Sequence, residues 1–276
     1  MKIGVLKETV SGESRVAATP ETVKKMIALS HSVSIEAGAG IQASISDEDY
    51  QNNGADIVSR DQALKSDLLL MVRPLSEKEI TTLKPRQFLV GMLEPFNNEL
   101  QNLLKKQGVS AFALEALPRN TRAQSMDVLS SQANIAGYKA VILAADYYKK
   151  FMPMLMTAAG TVKAAKVIVL GAGVAGLQAV ATAKRLGAVV EASDVRPSVQ
   201  EQIESLGGKF IEVPFETEEE KECAIGQGGY AKPMPKSWLT RQSKIVAEKV
   251  ISADIIITSA LIPGKSPPQL LSEETV

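Results

Sequence analysis

The pattern of apolar and polar positions changes period repeatedly along the chain, and it predicts alternating strands and helices. Short runs of apolar, β-branched residues indicate buried strands, and apolar residues spaced three or four apart indicate helices. In the first half the pattern predicts strands Lys2–Leu6, Ser32–Glu36, Leu68–Val72, Phe88–Leu93 and Val109–Leu114, and helices Pro20–Leu29, Glu48–Asn53 and Asn98–Gln107. This alternation is typical of an open parallel sheet.

The second half repeats the alternation after a long predicted helix, which runs from about Asp127 to Lys149. The predicted strands are Val167–Leu170, Ala188–Ser193, Phe210–Val213 and Asp254–Thr258, and a further helix covers about Arg241 to Val250. In a doubly wound sheet these four strands would lie in the order 3-2-1-4. The expected fold class is therefore α/β, with an open parallel sheet in each of two domains. These are residues 1–136 and, entered by the long linking helix, residues 137–276.

The tract from Glu216 to Trp238 interrupts this pattern. It is acidic, then rich in glycine, then broken by prolines, so it predicts a long excursion from the sheet. Within it, Gly226–Pro235 is expected to be a mobile loop that becomes ordered over a ligand. A passive linker is the alternative interpretation.

Composition excludes several classes of function. The 31 basic and 31 acidic residues cancel, so no overall field draws the chain to nucleic acid or to an anionic membrane. The single cysteine, Cys223, excludes an intrachain disulfide and a cysteine-based zinc site, and it suits a reducing compartment. The N-terminal MKIGVLKE has no long apolar run and no small-residue cleavage site of the kind that a signal peptide carries, so it is expected to be part of the fold.

A glycine-rich stretch from Lys166 to Asp194 carries the clearest chemical signal. A predicted strand opens onto Gly171, Gly173 and Gly176, and the next strand ends at Asp194. In this pattern the first glycine makes a tight turn, the second lets the backbone approach a pyrophosphate, and the third lets the helix pack against the strand. The carboxylate accepts hydrogen bonds from ribose hydroxyls and disfavours a 2′-phosphate. The stretch therefore predicts an NAD-type site, with close helix packing alone as the alternative.

Five motifs occur in order along the chain. They are Glu13–Pro20 (ESRVAATP), Arg122–Tyr138 (RAQSMDVLSSQANIAGY), Gly171–Ala179 (GAGVAGLQA), Gly228–Lys232 (GGYAK) and Thr258–Lys265 (TSALIPGK). Together they resemble the NAD(H)-binding α subunit of proton-translocating nicotinamide nucleotide transhydrogenases, over the whole chain. The first and third motifs are shared with the related alanine dehydrogenases, and the second favours the transhydrogenases.

The resemblance implies roles for particular residues. In the family the second motif belongs to a loop that holds the nicotinamide end of the cofactor, which implies Arg119, just before the motif, and Gln124 and Asp127 within it, with Ser130 following on the helix. A plain helix-capping role for this loop is the alternative. The fourth motif belongs to a loop that closes over the nucleotide. The implied cofactor contacts are Gly171, Ala172, Gly173, Val174, Ala175, Gly176, Asp194, Val195, Arg196, Gly229, Tyr230, Ala260 and Leu261.

The resemblance also implies an activity and partners. Hydride would pass from NADH to NADP⁺ bound on a partner domain, coupled to proton movement through a membrane-spanning subunit. The implied assembly is a homodimer held peripherally at the inner membrane, on the cytoplasmic side, by its partner subunits. Direct hydride transfer releases no proton at the reacting carbon, so it needs no general base. The single histidine, His31, follows the first predicted helix and is expected at a surface or helix-terminal position.

An alanine dehydrogenase is the second interpretation. In that family an arginine of the first motif, a lysine on the third strand and a histidine after the fourth strand hold and deprotonate the substrate. Arg15 is present, but Met71 stands at the lysine position, and Met92 and Leu93 stand where the histidine would be. Met71 is expected to fill the core instead.

The end of the chain suggests a third interpretation. In the family the second sheet continues after the last motif, so the second domain is expected to be truncated at its C-terminus. The chain would then be an inactive fragment, or one half of a split subunit completed by another polypeptide. Asp254–Thr258 would become an exposed sheet edge, which favours aggregation.

Overall fold

The structure is a computed structural model that describes residues 1–118, 120–225, 232–260 and 266–275. The chain divides into two compact units, unit 1 (Met1–Val128) and unit 2 (Leu129–Val276). Within the described residues, no helix has both the length and the hydropathy needed to cross a membrane.

Unit 1 is built from strands that alternate with helices. In its described part these are β1 (Lys2–Val5), α1 (Pro20–Ala28), β2 (Ser32–Glu36), α2 (Asp47–Asn52), β3 (Asp56–Val58), α3 (Arg60–Ala63), β4 (Leu68–Leu70), α4 (Glu77–Ile80), β5 (Phe88–Gly91), α5 (Asn98–Gln107) and β6 (Ser110–Ala113). All the strands are parallel and lie in the order β3-β2-β1-β4-β5-β6. The predicted parallel sheet is confirmed, and β3, α3 and α4 are short additions to it.

Helix termini in unit 1 lie where local chemistry favours them. The Thr19 hydroxyl accepts a hydrogen bond from the backbone nitrogen of Thr22 (3.3 Å), and Pro20 is the first residue of α1. Asn97 caps α5 by accepting from the backbone nitrogen of Leu100 (3.2 Å). That helix ends at Gly108, whose φ of 71° is left-handed and suits glycine. The helix predicted over Asn98–Gln107 is confirmed.

Unit 2 begins with a long helix and continues into a second parallel sheet. Its elements in the described residues are α6 (Val128–Tyr147), β7 (Leu155–Thr157), β8 (Gly160–Val162), β9 (Lys166–Leu170), α7 (Val174–Arg185), β10 (Val189–Ser193), α8 (Gln200–Ser205), β11 (Lys209–Phe210), α9 (Glu218–Ile225), α10 (Lys236–Val250) and β12 (Ile255–Thr258). The parallel sheet has the order β11-β10-β9-β12, so the predicted 3-2-1-4 order is confirmed.

The core of unit 2 lies on both sides of β9. Val167 and Val169 pack in one apolar cluster with Ala179 and Ala183 of α7. Ile168 and Leu170 pack in a second cluster, with Val246 and Val250 of α10. Both clusters are buried, as expected for a central parallel strand that is covered on its two faces.

The long excursion predicted from Glu216 to Trp238 contains regular structure that the sequence pattern did not predict. Helix α9 begins within its acidic run, and α10 begins at Lys236 rather than near Arg241. Three consecutive glutamates occupy the first turn of α9, where negative charge is favoured by the helix dipole. Residues 226–231 of the proposed mobile loop lie outside the described residues.

The sequence pattern also missed the antiparallel hairpin of β7 and β8. Leu155 pairs with Val162, and Thr157 pairs with Gly160. Every residue of both strands is exposed, so no alternation of buried and exposed positions marks them in the sequence.

Candidate dinucleotide-binding site

The turn between β9 and α7 begins with a glycine in a left-handed conformation. Gly171 has a φ of 92°, and a Cβ atom there would lie 3.0 Å from the backbone nitrogen of Ala260. Its own nitrogen donates to the carbonyl oxygen of Ser193 (2.8 Å), which ties the turn to the end of β10. Only glycine satisfies both the backbone angle and the close approach.

Gly173 and Gly176 serve the turn in different ways. Gly173 precedes the first residue of α7, and a Cβ added there would meet no atom within 4 Å in the described structure. A Cβ on Gly176 would instead collide with the carbonyl oxygen of Gly171 and lie 2.9 Å from Oγ of Ser259. Among the described residues, the first position therefore leaves the N-terminus of α7 open, and the second lets α7 pack against β9, as the spacing predicts.

Asp194, which follows β10, is hydrogen-bonded directly to the turn. Its Oδ2 accepts from the backbone nitrogen of Ala172 (2.7 Å), and its side chain is only 7% exposed. The motif predicts only contacts between this carboxylate and a ribose, so the bond to Ala172 is not predictable from it. The carboxylate therefore lies beside the open N-terminus of α7.

Arg196 closes over the same carboxylate. Its backbone nitrogen and Nε each donate to Oδ1 of Asp194 at 2.9 Å, and its Nη2 donates to Oδ2 at 2.9 Å. The two parallel donors of a guanidinium suit such a pair, and the positive charge of Arg196 offsets part of the negative charge of the carboxylate. Val195, the residue between them, is half-buried.

An apolar groove of about 650 Å³ adjoins the turn within unit 2. Ala175 of α7 and Ala260 after β12, two of the residues expected to contact a cofactor, line it together with Gly137 of α6. A Cβ on Gly137 would collide with the carbonyl oxygen of Ala175. The backbone of α6 at Gly137 is therefore in direct contact with the backbone of α7 at Ala175.

The residues expected at the nicotinamide end lie around the start of α6. Gln124 is exposed in a short 3₁₀ turn (Gln124–Met126), and Asp127 follows that turn, in unit 1. Ser130 is half-buried on α6, in unit 2. Their roles stay predictions. Of the other expected contacts, Arg119, Gly229, Tyr230 and Leu261 lie outside the described residues.

In unit 1 the arginine of the first motif is paired with a carboxylate of the same motif. Nε of Arg15 donates to Oε1 of Glu13 (2.7 Å), and its Nη2 donates to Oε2 (2.5 Å). Arg73 adds a bond to Oε2 (3.2 Å). The hydrogen bonds from Arg15 lower the pKa of Glu13 from 4.5 to about 2. The carboxyl of Glu13 is therefore ionised at neutral pH.

At the carboxyl-terminal ends of β1 and β4 in unit 1, a carboxylate is hydrogen-bonded to the backbone of the chain. Glu8 accepts hydrogen bonds from the backbone nitrogens of Val72 (2.6 Å) and Arg73 (3.1 Å). Burial raises the pKa of this carboxyl. Met71 is 3% exposed and packs in the core with Leu69 and Leu89, so its predicted core-filling role is confirmed.

The family of the chain follows from its match to two domain descriptions. "Alanine dehydrogenase/PNT, N-terminal domain" matches residues 4–136, and "Alanine dehydrogenase/PNT, C-terminal domain" matches residues 140–276. The chain belongs to the alanine dehydrogenase/PNT family. The resemblance drawn from the five motifs is thereby confirmed. The two matches together leave out only a few residues at the start of the chain and three between the domains.

Within the alanine dehydrogenase/PNT family the chain is more similar to transhydrogenases than to alanine dehydrogenases. It is 48% identical to the protein named as the first part of NAD(P) transhydrogenase subunit alpha in Rhodospirillum rubrum, over 100% of this chain and 73% of that protein. A crystal structure of transhydrogenase from Sinorhizobium meliloti superposes with a TM-score of 0.86 at 44% identity, over 100% of this chain and 74% of that chain. An L-alanine dehydrogenase structure gives a TM-score of 0.77 at 27% identity, over 100% and 70%.

Proposed function

We propose that this chain is the NAD(H)-binding subunit of a proton-translocating transhydrogenase, and that NAD(H) binds at the glycine turn of unit 2. The observation that carries the proposal is the carboxylate of Asp194, held 2.7 Å from the nitrogen of Ala172 beside the open start of α7. A ribose acceptor and a phosphate-binding helix N-terminus thus adjoin each other, as a dinucleotide requires. The division into domains 1–136 and 137–276 belongs to this proposal.

The pyrophosphate would lie at the N-terminus of α7. Gly173 leaves space in front of the helix, so the backbone nitrogens of Val174 and Ala175 can donate to phosphate oxygens. Asp194 would accept from the adenosine ribose, flanked by Val195 and Arg196. A 2′-phosphate would meet the carboxylate there, which favours NADH over NADPH.

The nicotinamide end would be held by Arg119, Gln124, Asp127 and Ser130. Amide, carboxylate and hydroxyl groups suit the carboxamide of the ring, because their hydrogen bonds fix its rotation. Tyr230, Gly229, Ala260 and Leu261 would complete the cofactor contacts. When bound, the nicotinamide supplies a hydride, which leaves with both electrons of its C–H bond for NADP⁺ on a partner domain. The residues of this chain bind and orient the donor, and no base among them is required.

Three observations in unit 1 favour this reaction over amino-acid oxidation. Arg15, the expected carboxylate-binding residue of an alanine dehydrogenase, is paired with Glu13, and Met71 is in the core. The backbone nitrogen of His31 donates to the carbonyl oxygen of Met26 (3.2 Å) at the end of α1, a position expected of a structural histidine. The first two observations concern positions that hold the substrate in alanine dehydrogenases, and the third concerns the single histidine of the chain.

The proposed partners are membrane-spanning and NADP(H)-binding subunits, which would hold the chain at the cytoplasmic face of the inner membrane. We also propose a homodimer, supported by apolar side chains that the chain leaves exposed. Tyr147 of α6 is 78% exposed and Met156 of the hairpin is 73% exposed. Tyr147→Glu or Met156→Glu should convert a dimer to a monomer in light scattering. A monomeric wild-type chain would contradict the dimer.

Reconstitution tests the proposed activity. The chain, combined with a membrane-spanning and an NADP(H)-binding transhydrogenase subunit, should support reduction of the acetylpyridine analogue of NAD⁺ by NADPH. Omission of the chain should abolish the reaction. With NAD⁺ and L-alanine instead, the chain should form no NADH. NADH formation from L-alanine, together with no transhydrogenation, would favour the alanine dehydrogenase interpretation.

A further inference from the structure

The peptide unit between Gly171 and Ala172 is held at both ends. The Ser259 hydroxyl donates to the carbonyl oxygen of Gly171 (2.7 Å), and the nitrogen of Ala172 donates to Asp194 (2.7 Å). In a planar trans peptide the carbonyl and the N–H point in opposite directions. Two bonds from the ends of two different strands, β12 and β10, therefore fix the rotation of this one plane.

These two hydrogen bonds matter because a peptide plane that follows glycine rotates more easily than one that follows a residue with a side chain. Gly171 has a φ of 92° and no side chain that would hinder its carbonyl from turning. If the carbonyl turned, its oxygen would approach the side where Asp194 lies and where the ribose and phosphates are proposed to bind. An oxygen there would repel an anionic ligand.

Ser259 is itself well fixed for this task. Its backbone nitrogen donates to the carbonyl oxygen of Leu170 (2.9 Å), which extends the pairing of β12 with β9 past the end of the strands. Its hydroxyl occupies space that Gly176 leaves free, since a Cβ at that glycine would lie 2.9 Å from Oγ. The glycine that permits helix packing thus also admits the serine.

We propose that Ser259 is a positioning residue for the phosphate-binding turn: its hydroxyl holds the Gly171 carbonyl away from the nucleotide. The inference rests on the proposed function of unit 2 and deepens it. Ser259 acts through Gly171, and it need not contact the ligand. Its effect should therefore depend on the phosphates of the ligand rather than on the adenosine.

The test compares ligands with and without phosphates by calorimetric titration of the full chain. Ser259→Ala should weaken binding of NADH and ADP by roughly 2- to 10-fold, the effect of one hydrogen bond, and leave adenosine affinity unchanged. Ser259→Thr retains a hydroxyl, so its ADP affinity should be close to that of the wild-type chain. Ser205→Ala is the matched control, because it removes a similar bond, from Oγ of Ser205 to the carbonyl oxygen of Gln202 (2.8 Å), on α8.

The outcomes separate this inference from the proposed function. Wild-type chain that binds neither NADH nor ADP would overturn both. Two results would overturn the role of Ser259 alone, provided that the wild-type chain binds ADP. One is an unchanged ADP affinity in Ser259→Ala, and the other is an equal loss of affinity for ADP and for adenosine. If Ser259→Ala does not fold, Ser259→Cys replaces it. The thiol fills similar space but donates weakly, so a reduced ratio of ADP to adenosine affinity is expected, and an unchanged ratio refutes the inference.

Discussion

The carboxylate of Asp194 accepts a hydrogen bond from the backbone nitrogen of Ala172 at 2.7 Å, across 22 positions of the chain. The end of β10 is thereby joined to the turn that follows β9. One carboxylate thus holds the turn, and we propose that it also accepts from the ribose of the bound nucleotide. Replacing it should change both the affinity and the choice of nucleotide.

Asp194→Ala should narrow the preference for NADH over NADPH. In the wild-type chain we expect this preference to be about 2 to 4 kcal/mol, because a 2′-phosphate loses the ribose hydrogen bonds and meets a carboxylate. Without the carboxylate, Arg196 is left to attract the phosphate. Calorimetric affinities for both nucleotides measure the change.

Asp254→Ala is the control for this variant. Asp254 also accepts a hydrogen bond from a backbone nitrogen, that of Lys166 (2.9 Å). It precedes β12, however, so it lies at the amino-terminal end of the parallel strands, whereas Asp194 lies at their carboxyl-terminal end. Asp254→Ala should leave the nucleotide preference unchanged. An Asp194→Ala chain with the wild-type ratio of affinities would refute the role given to the carboxylate.

Strand order and the distinct roles of the glycines were predictable because they depend on local pattern. Short apolar strands joined by helices admit few arrangements, and the spacing of Gly171, Gly173 and Gly176 specifies a turn, an opening and a packing contact. The structure has each glycine in the geometry that its role requires. The core position of Met71 followed in the same way from its place in an apolar run.

Other features were not predictable, since they depend on contacts between distant residues or on exposed ones. The bond from Ser259 to Gly171 joins positions 88 residues apart, and nothing in the pattern of either segment marks it. The closure of Arg196 over Asp194 is likewise a side-chain geometry that spacing does not specify. The hairpin Leu155–Val162 lacks a buried face, so it has no periodic signal.

Gly137→Ala should destabilise unit 2, although alanine is usually the better helix former. A Cβ at this position of α6 would collide with the carbonyl oxygen of Ala175, so the two helices would have to separate. We expect the free energy of unfolding to fall by about 1 to 3 kcal/mol, the usual cost of overpacking. Urea denaturation measures it. A variant stabilised by about 0.5 to 1 kcal/mol, the result of helix propensity alone, would show that the close approach is absent.

The ion pair of Glu13 and Arg15 should make the stability of unit 1 depend on pH. The pKa of Glu13 is lowered from 4.5 to about 2, so the folded state favours the ionised carboxyl. The resulting stabilisation, at most about 3 kcal/mol and smaller to the extent that solvent screens the pair, is fully present above pH 4.5 and is lost as the pH falls towards 2. Glu13→Gln should therefore be less stable than the wild-type chain at pH 7, and the difference should shrink below pH 4.5.

A second carboxyl provides the control for this pH dependence. Glu21 pairs with Lys25 (2.7 Å) on the exposed surface of α1, where solvent screens the charges. Glu21→Gln should change the unfolding free energy much less than Glu13→Gln, at every pH from 7 down to 3. Equal effects of the two variants would contradict the stabilising role of the half-buried pair of Glu13 and Arg15.

The central claim is that the open space in front of Gly173 is where the pyrophosphate of NAD(H) binds. Gly173→Ala tests it most directly, because an added Cβ would meet no atom of the described structure within 4 Å and would occupy only the space left for the ligand. Gly176→Ala is the contrasting variant, since its Cβ collides with Gly171 and should lower stability as well. The measurement is a calorimetric titration of Gly173→Ala with NADH, beside its urea denaturation. We expect wild-type stability and at least a tenfold loss of NADH affinity. Wild-type NADH affinity in this variant would contradict the central claim.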